Sequence, residues 1–168
     1  MKREITIQTT IEVYKNNTEL PETAQKLLAV AKETLPKAYA PYSHFQVAAA
    51  VLLANGEVLA GGNQENAAYP MCLCAERVAI GAAHAQFPGV PVVMIAITVQ
   101  NKRKKVEMPA APCGACRQVI CELESRFGND IEIYLQAETD EIYKINSGKD
   151  LLPLSFDGSF LRTFTQRR

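Results

Sequence analysis

Three cysteines restrict this chain more than any other feature. Cys74 and the Cys113-x-x-Cys116 pair lie far apart in sequence, so they can serve one metal ion only if the fold brings their two segments to one point. Glu76 follows the first of them by two residues. A structural zinc site is generally closed by four protein ligands, whereas a catalytic one keeps three and leaves a position for water. Three thiolates with a carboxylate alongside therefore point to an open, catalytic site. Taken alone, Cys113-x-x-Cys116 fits a redox pair or half of a structural site equally well. Cys72 could join Cys74 in a closed four-sulfur site, which leaves Glu76 without a purpose. Cys72 and Cys121 otherwise read as small packed thiols. The two histidines, His44 and His84, are assigned to surface or core.

The hydrophobic pattern predicts how the segments are joined. Ile5, Ile7, Thr9, Ile11 and Val13 alternate with polar neighbours, the period of a half-buried strand. Leu20, Ala24, Leu27, Leu28, Ala31 and Leu35 follow helical spacing, and Pro36 helps to stop that helix. Phe45 to Leu53 and Glu57 to Gly61 flank Asn55-Gly56, a strong hairpin signal. A helix is expected from Cys74 to about Ala85, a buried strand from Pro91 to Val99, and a helix from Cys113 to Phe127. Strands over Ile131 to Gln136 and Glu141 to Ile145 complete the pattern. This alternation predicts an α/β fold, a three-layer α-β-α sandwich around one mixed sheet, with an extra N-terminal strand. Residues 1–17 are expected to form an extension carrying that edge strand, and residues 18–168 a single catalytic domain.

Length and charge agree with one core. A chain of 168 residues is close to one domain and buries roughly 70% of its unfolded surface. Eighteen basic and eighteen acidic side chains cancel, so no net positive field favours a phosphate backbone, and nucleic acid is not an expected partner. The basic run Lys102-Arg103-Lys104-Lys105 reads as a solvated turn. Apolar runs are too short to span a bilayer, and no apolar signal-peptide core is present, so a cytoplasmic location is expected. Five cysteines, an odd number, suit thiols and metal ligands better than a disulfide framework.

All three candidate ligands fall in the expected first turns of helices. Helix N-termini offer free N–H groups and a partial positive charge, both of which favour thiolate over thiol. Three thiolates around a divalent cation leave a formal charge of minus one. Arg77, which can donate several hydrogen bonds to sulfur, is the candidate to offset it.

The chain resembles the small homotetrameric, three-cysteine cytidine deaminases. The likeness rests on Ala38-Tyr39-Ala40-Pro41-Tyr42-Ser43-His44-Phe45-Gln46-Val47, Gly62-Asn63-Gln64-Glu65-Asn66-Ala67-Ala68-Tyr69, Cys74-Ala75-Glu76-Arg77, Pro112-Cys113-Gly114-Ala115-Cys116-Arg117-Gln118-Val119 and Leu151-Leu152-Pro153 leading to Phe156. It does not cover residues 1–17, and the segment between Cys74 and Cys113 is several residues longer than is usual for the family.

The resemblance implies zinc-dependent hydrolytic deamination of cytidine and 2'-deoxycytidine, with one Zn2+ per chain and no organic cofactor. Glu76 is then the proton carrier, and Cys74, Cys113 and Cys116 hold the zinc. Asn63 and Glu65 bind the ribose hydroxyls, and Gln64 lies between them. Ala75 and Ala111 read the amino group through their backbone. Arg77 and Gln118 support the ligands. Phe45 and Phe156 pack against the nucleoside, Phe156 coming from a neighbouring subunit, although each also suits ordinary core. Tyr69 is either a pocket wall or structural. Three other readings stay open: a deaminase of a modified cytosine nucleoside or cytosine-containing antibiotic, an editing enzyme on nucleic acid, and a non-enzymatic zinc module.

Overall fold

A computed structural model of the chain describes residues 2–161. Met1 and residues 162–168, the ends of the expected domain assignment, lie outside the described residues. The sheet has six strands: β1 (Glu12–Tyr14), β2 (Phe45–Leu53), β3 (Val58–Gly62), β4 (Val92–Asn101), β5 (Glu132–Gln136) and β6 (Ile142–Ile145). Their order is β1-β6-β5-β4-β2-β3, and β4 with β5 is the parallel pair in an otherwise antiparallel sheet. The α-helices are α1 (Glu22–Thr34), α2 (Ala75–Gln86), α3 (Gly114–Phe127) and a short α4 (Gly148–Leu151) that the hydrophobic pattern did not signal.

Period-two alternation in β2, β4 and β5 sends side chains to two cores. Ala50, Ala96 and Tyr134 meet Ala24, Leu27, Leu28 and Ala31 of α1 on one face. Ala49, Val51, Ile95, Ile97 and Ile133 meet Ala75, Ala79 and Ala83 of α2 and Ile120 of α3 on the other. The three layers expected from the sequence are thus present. The Asn55-Gly56 turn also forms, with Gly56 at φ 90°, where a side chain is disfavoured. At Gly61 a Cβ would lie 2.6 Å from Val78 Cγ1 and 2.9 Å from the Ala79 backbone nitrogen. Its absence lets α2 sit directly on β3, which sets the height of that helix's N-terminus above the sheet.

The N-terminal strand is shorter than its alternation suggested. Only Glu12–Tyr14 pair with β6, in the register Glu12↔Lys144 to Tyr14↔Ile142, and residues 2–11 adopt no regular structure. The residues expected to be half-buried are exposed, Ile5 by 75% and Val13 by 57%. Alternation needs a neighbouring strand to become structure, and β6 spans only Ile142–Ile145. What docks β1 is partly electrostatic. Lys144 Nζ lies 3.6 Å from Glu12 and 3.2 Å from Glu132 across three adjacent strands.

Candidate active site

Two helix starts converge at the edge of the sheet where β3 and β4 end. Cys74 and Cys113 occupy the cap positions of α2 and α3, and Cys116 lies in the first turn of α3. Their sulfurs all lie within 4.8 Å of one another, with Cys74–Cys113 and Cys113–Cys116 each at 3.6 Å. Tetrahedral thiolates about 2.3 Å from a zinc ion stand roughly 3.8 Å apart, so this donor set fits a zinc ion. Among the described residues it is the cluster of three or more such donors suited to a metal. Cys72 is not in it; its sulfur accepts from the Asn66 backbone N–H at 3.2 Å. Cys121, on α3, is buried, as expected of a packed thiol.

The charges inside the cluster are unequal. Hydrogen bonding from Cys116, the largest influence, joins Cys113 and the Arg77 charge in bringing the Cys74 thiol down to about 6, against the effect of burial. Cys116 keeps its proton for the same reason, because it donates to Cys74, and burial raises it further. Cys74, Cys113 and Cys116 would have to give up these shared protons to hold a divalent ion as thiolates. Glu76, 4% exposed, lies beside them on α2. Burial, the leading cause, pushes its carboxyl above the usual range, and the Cys74 charge adds to the rise.

In front of the sulfurs is a cavity of about 280 Å³, close to the roughly 300 Å³ at which small-ligand sites begin. Cys74, Cys113 and Glu76 form its floor. Phe45, Val47, Ile97 and Val99 form one wall, and Asn63, Gln64 and Glu65 another. Segment 63–65 is held from both sides: Tyr39 N donates to Asn63 O and Glu65 N to Tyr39 O, both at 2.9 Å, while Gln64 and Leu73 exchange two backbone bonds at 2.9 Å.

The residues 21–127 match the model of the cytidine and deoxycytidylate deaminase zinc-binding region. The chain belongs to this deaminase family. It is 41% identical over 132 residues to a cytidine deaminase of Halalkalibacterium halodurans, covering 79% of this chain and 92% of that one. A probable cytidine deaminase of Dictyostelium discoideum is 32% identical over 136 residues, with 79% and 82% covered. Among solved structures, a cytidine deaminase from Burkholderia pseudomallei superposes with a TM-score of 0.69 at 39% identity, covering 82% of this chain and all of that one. One from Mycobacterium tuberculosis gives 0.59 at 34% identity, with 78% and 94% covered.

Within this deaminase fold, the residues singled out from sequence divide into groups. Glu76, the three cysteines, Phe45, Asn63, Gln64, Glu65 and Ala111 meet at the cavity or its cluster of sulfurs. Asn63 and Glu65 both have bonds within the chain. Asn63 Oδ1 accepts from Val47 N at 2.9 Å, and its Nδ2 donates to Phe45 O at 3.1 Å. Glu65 accepts from Tyr42 N at 2.8 Å, from Ser43 N at 3.3 Å and from the Ser43 hydroxyl. Burial opposes the Glu65 charge, but these donors prevail and hold its carboxyl below the usual range. Both side chains thus also fix the segment that presents Phe45.

Other expected positions lie elsewhere. The Ala75 side chain is fully buried in the core under α2, while its backbone runs between the cavity-lining Cys74 and Glu76. Tyr69 is 70% exposed and meets Tyr42 edge to face at 6.1 Å, beside a separate depression. Phe156 is 56% exposed, stacks on Phe160 at 5.6 Å, and does not line the cavity of its own chain. Gln118 donates to Phe156 O at 2.7 Å, so it supports that segment. Arg77 donates to the Cys72 carbonyl at 3.2 Å; its influence on Cys74 is through charge, without the hydrogen bond to sulfur that its position suggested. Arg117 was not singled out. It joins Pro112 O and Leu151 O, both at 2.8 Å, tying the start of α3 to the C-terminal segment. Its place directly after Cys116 was the available signal.

Proposed function

We propose that the chain catalyses zinc-dependent hydrolytic deamination of cytidine and 2'-deoxycytidine, releasing ammonia and giving uridine and 2'-deoxyuridine. The observation that carries this reading is a buried carboxyl, Glu76, with a raised pKa on the floor of a nucleoside-sized cavity beside three convergent thiols. Its family membership and the cytidine deaminases it resembles support the substrate class. Cys74, Cys113 and Cys116 would hold the zinc, which when bound supplies Lewis acidity and makes a water far easier to deprotonate. Glu76 takes a proton from the attacking water as its oxygen adds to C4 of the cytosine. The same carboxyl then protonates the ring nitrogen at position 3 and assists loss of ammonia, a cycle favoured by a pKa nearer neutrality. Asn63 and Glu65 face the ribose, Phe45 packs beside it, and the Ala75 and Ala111 backbone reads the amino group.

The test is loss of cytidine absorbance. The zinc-loaded protein is expected to turn over cytidine, to stop on treatment with a chelator, and to recover when zinc is returned. A zinc-loaded protein without turnover of cytidine or deoxycytidine would sink the proposal. Five free thiols, three of them needed as metal ligands, support a reducing, cytoplasmic location. No helix among the described residues is long and apolar enough to cross a membrane. Residues 1–17 act as an extension to a catalytic domain starting near residue 18, a division supported by the family match from residue 21.

The chain works as a homotetramer in which Phe156 completes a neighbouring subunit's cavity. Supporting this are the exposed Leu154, Phe156 and Phe160, an apolar C-terminal segment of which Phe156 does not line the cavity of its own chain. Phe156→Ala should raise KM for cytidine, by analogy with base stacking worth about 1–3 kcal/mol, and leave zinc content unchanged. Light scattering checks the assembly. A monomer with full activity at assay concentration would remove the shared site and leave the zinc and Glu76 roles standing.

A further inference from the structure

Between Asn101, at the end of β4, and Cys113 the chain crosses an open loop whose later residues Ala110 and Ala111 line the cavity. Both ends of this crossing are pinned. At the far end, Arg117 Nε donates to Pro112 O at 2.8 Å. At the near end the pin comes from the β5–β6 turn. A single carboxylate oxygen, Glu138 Oε2, accepts from Asn101 N at 3.3 Å and from Val106 N at 2.8 Å. Glu138 N donates back to Val106 O at 3.1 Å, and Thr139 Oγ1 donates to Glu107 O at 3.1 Å. Between the pins run Met108, Pro109, Ala110 and Ala111, with Pro109 buried and Met108 70% exposed. Two prolines, Pro109 and Pro112, stiffen this stretch, so the position of its near end is carried to the cavity wall.

We propose that Glu138 is a positioning residue for the substrate cavity: its carboxylate sets the near end of the 101–112 loop and thereby the wall that Ala110 and Ala111 present to the nucleoside. The proposal rests on the deaminase reading above. Glu138 touches neither the sulfurs nor the cavity, so its effect falls on substrate binding and not on the metal or on Glu76. Because one oxygen accepts both N–H groups, a neutral amide oxygen can replace it. Glu138→Gln should therefore retain the tether, and Glu138→Ala should lose it.

Two readouts test this on the zinc-loaded protein. Glu138→Ala is expected to raise KM for cytidine about tenfold, with kcat and zinc content within about twofold of wild type, and Glu138→Gln to restore KM. The exposed run Lys102-Arg103-Lys104-Lys105 supplies trypsin sites within the loop, and native-state cleavage there should be several-fold faster in Glu138→Ala only. If Glu138→Ala does not accumulate, Thr139→Val removes only the donor to Glu107 O and should speed the same cleavage; an unchanged rate then overturns the tether. Glu138→Ala with wild-type KM and cleavage overturns it, as does Glu138→Gln impaired equally. Should the wild-type protein fail to turn over cytidine, the deaminase reading falls while the cleavage comparison still decides the tether.

Discussion

Glu76→Gln is expected to keep its zinc and its fold while losing cytidine turnover by about 100- to 10,000-fold, the usual contribution of general acid–base catalysis. The exchange is nearly isosteric, and the side chain it alters is 4% exposed, so packing changes little. What changes is the proton inventory. The carboxyl is raised chiefly by burial, with the Cys74 charge adding to it, and can both take and return a proton; an amide can do neither. Elemental analysis gives the zinc content, and steady-state kinetics the turnover. A zinc-loaded Glu76→Gln protein with wild-type kcat would end the assignment.

Cys113→Ala should lose the metal. Its sulfur stands 3.6 Å from both Cys74 and Cys116, so removing it leaves two donors that do not define a site. Cys74→Ala and Cys116→Ala should behave alike, with zinc falling well below one per chain and activity going with it. Stability should also fall. A ligand present at a thousand times its dissociation constant adds about 4 kcal/mol to the folded state. For a chain of this size that is roughly 8–16 °C in Tm. Cys72→Ala and Cys121→Ala, of which the first has its sulfur on the Asn66 backbone and the second is buried beside Ser155, should retain full occupancy. If Cys72→Ala strips zinc as thoroughly as Cys113→Ala, the site has four sulfurs and the catalytic reading fails.

Much of this was legible without coordinates. The boundaries of β2 were read to the residue, and those of α1, α2, α3 and β4 within a few positions, because each carries its own periodicity, with Pro36 after α1 and Asn55-Gly56 after β2 as end signals. The three cysteines could be grouped because each lies at or just inside a helix start, and the spacing Cys113-x-x-Cys116 is itself a chelating geometry. The N-terminal alternation from Ile5 to Val13 misled. Period two records what a segment can pair with, and β6 offered pairing for three residues only.

Local chemistry thus determined the layers, the grouping of the three cysteines and the acid two residues from the first of them, since these depend on residue type and on neighbours a turn or two away. The tertiary structure decided the partners. It gave Arg77 to the Cys72 carbonyl in place of a sulfur, turned Asn63 and Glu65 onto the segment that carries Phe45, and left Phe156 outside the cavity of its own chain. It also brought Glu138 from the β5–β6 turn against a loop more than thirty residues earlier in the chain. A hydrogen bond between distant segments follows from the register of strands and the packing of helices, and one-dimensional periodicity contains neither.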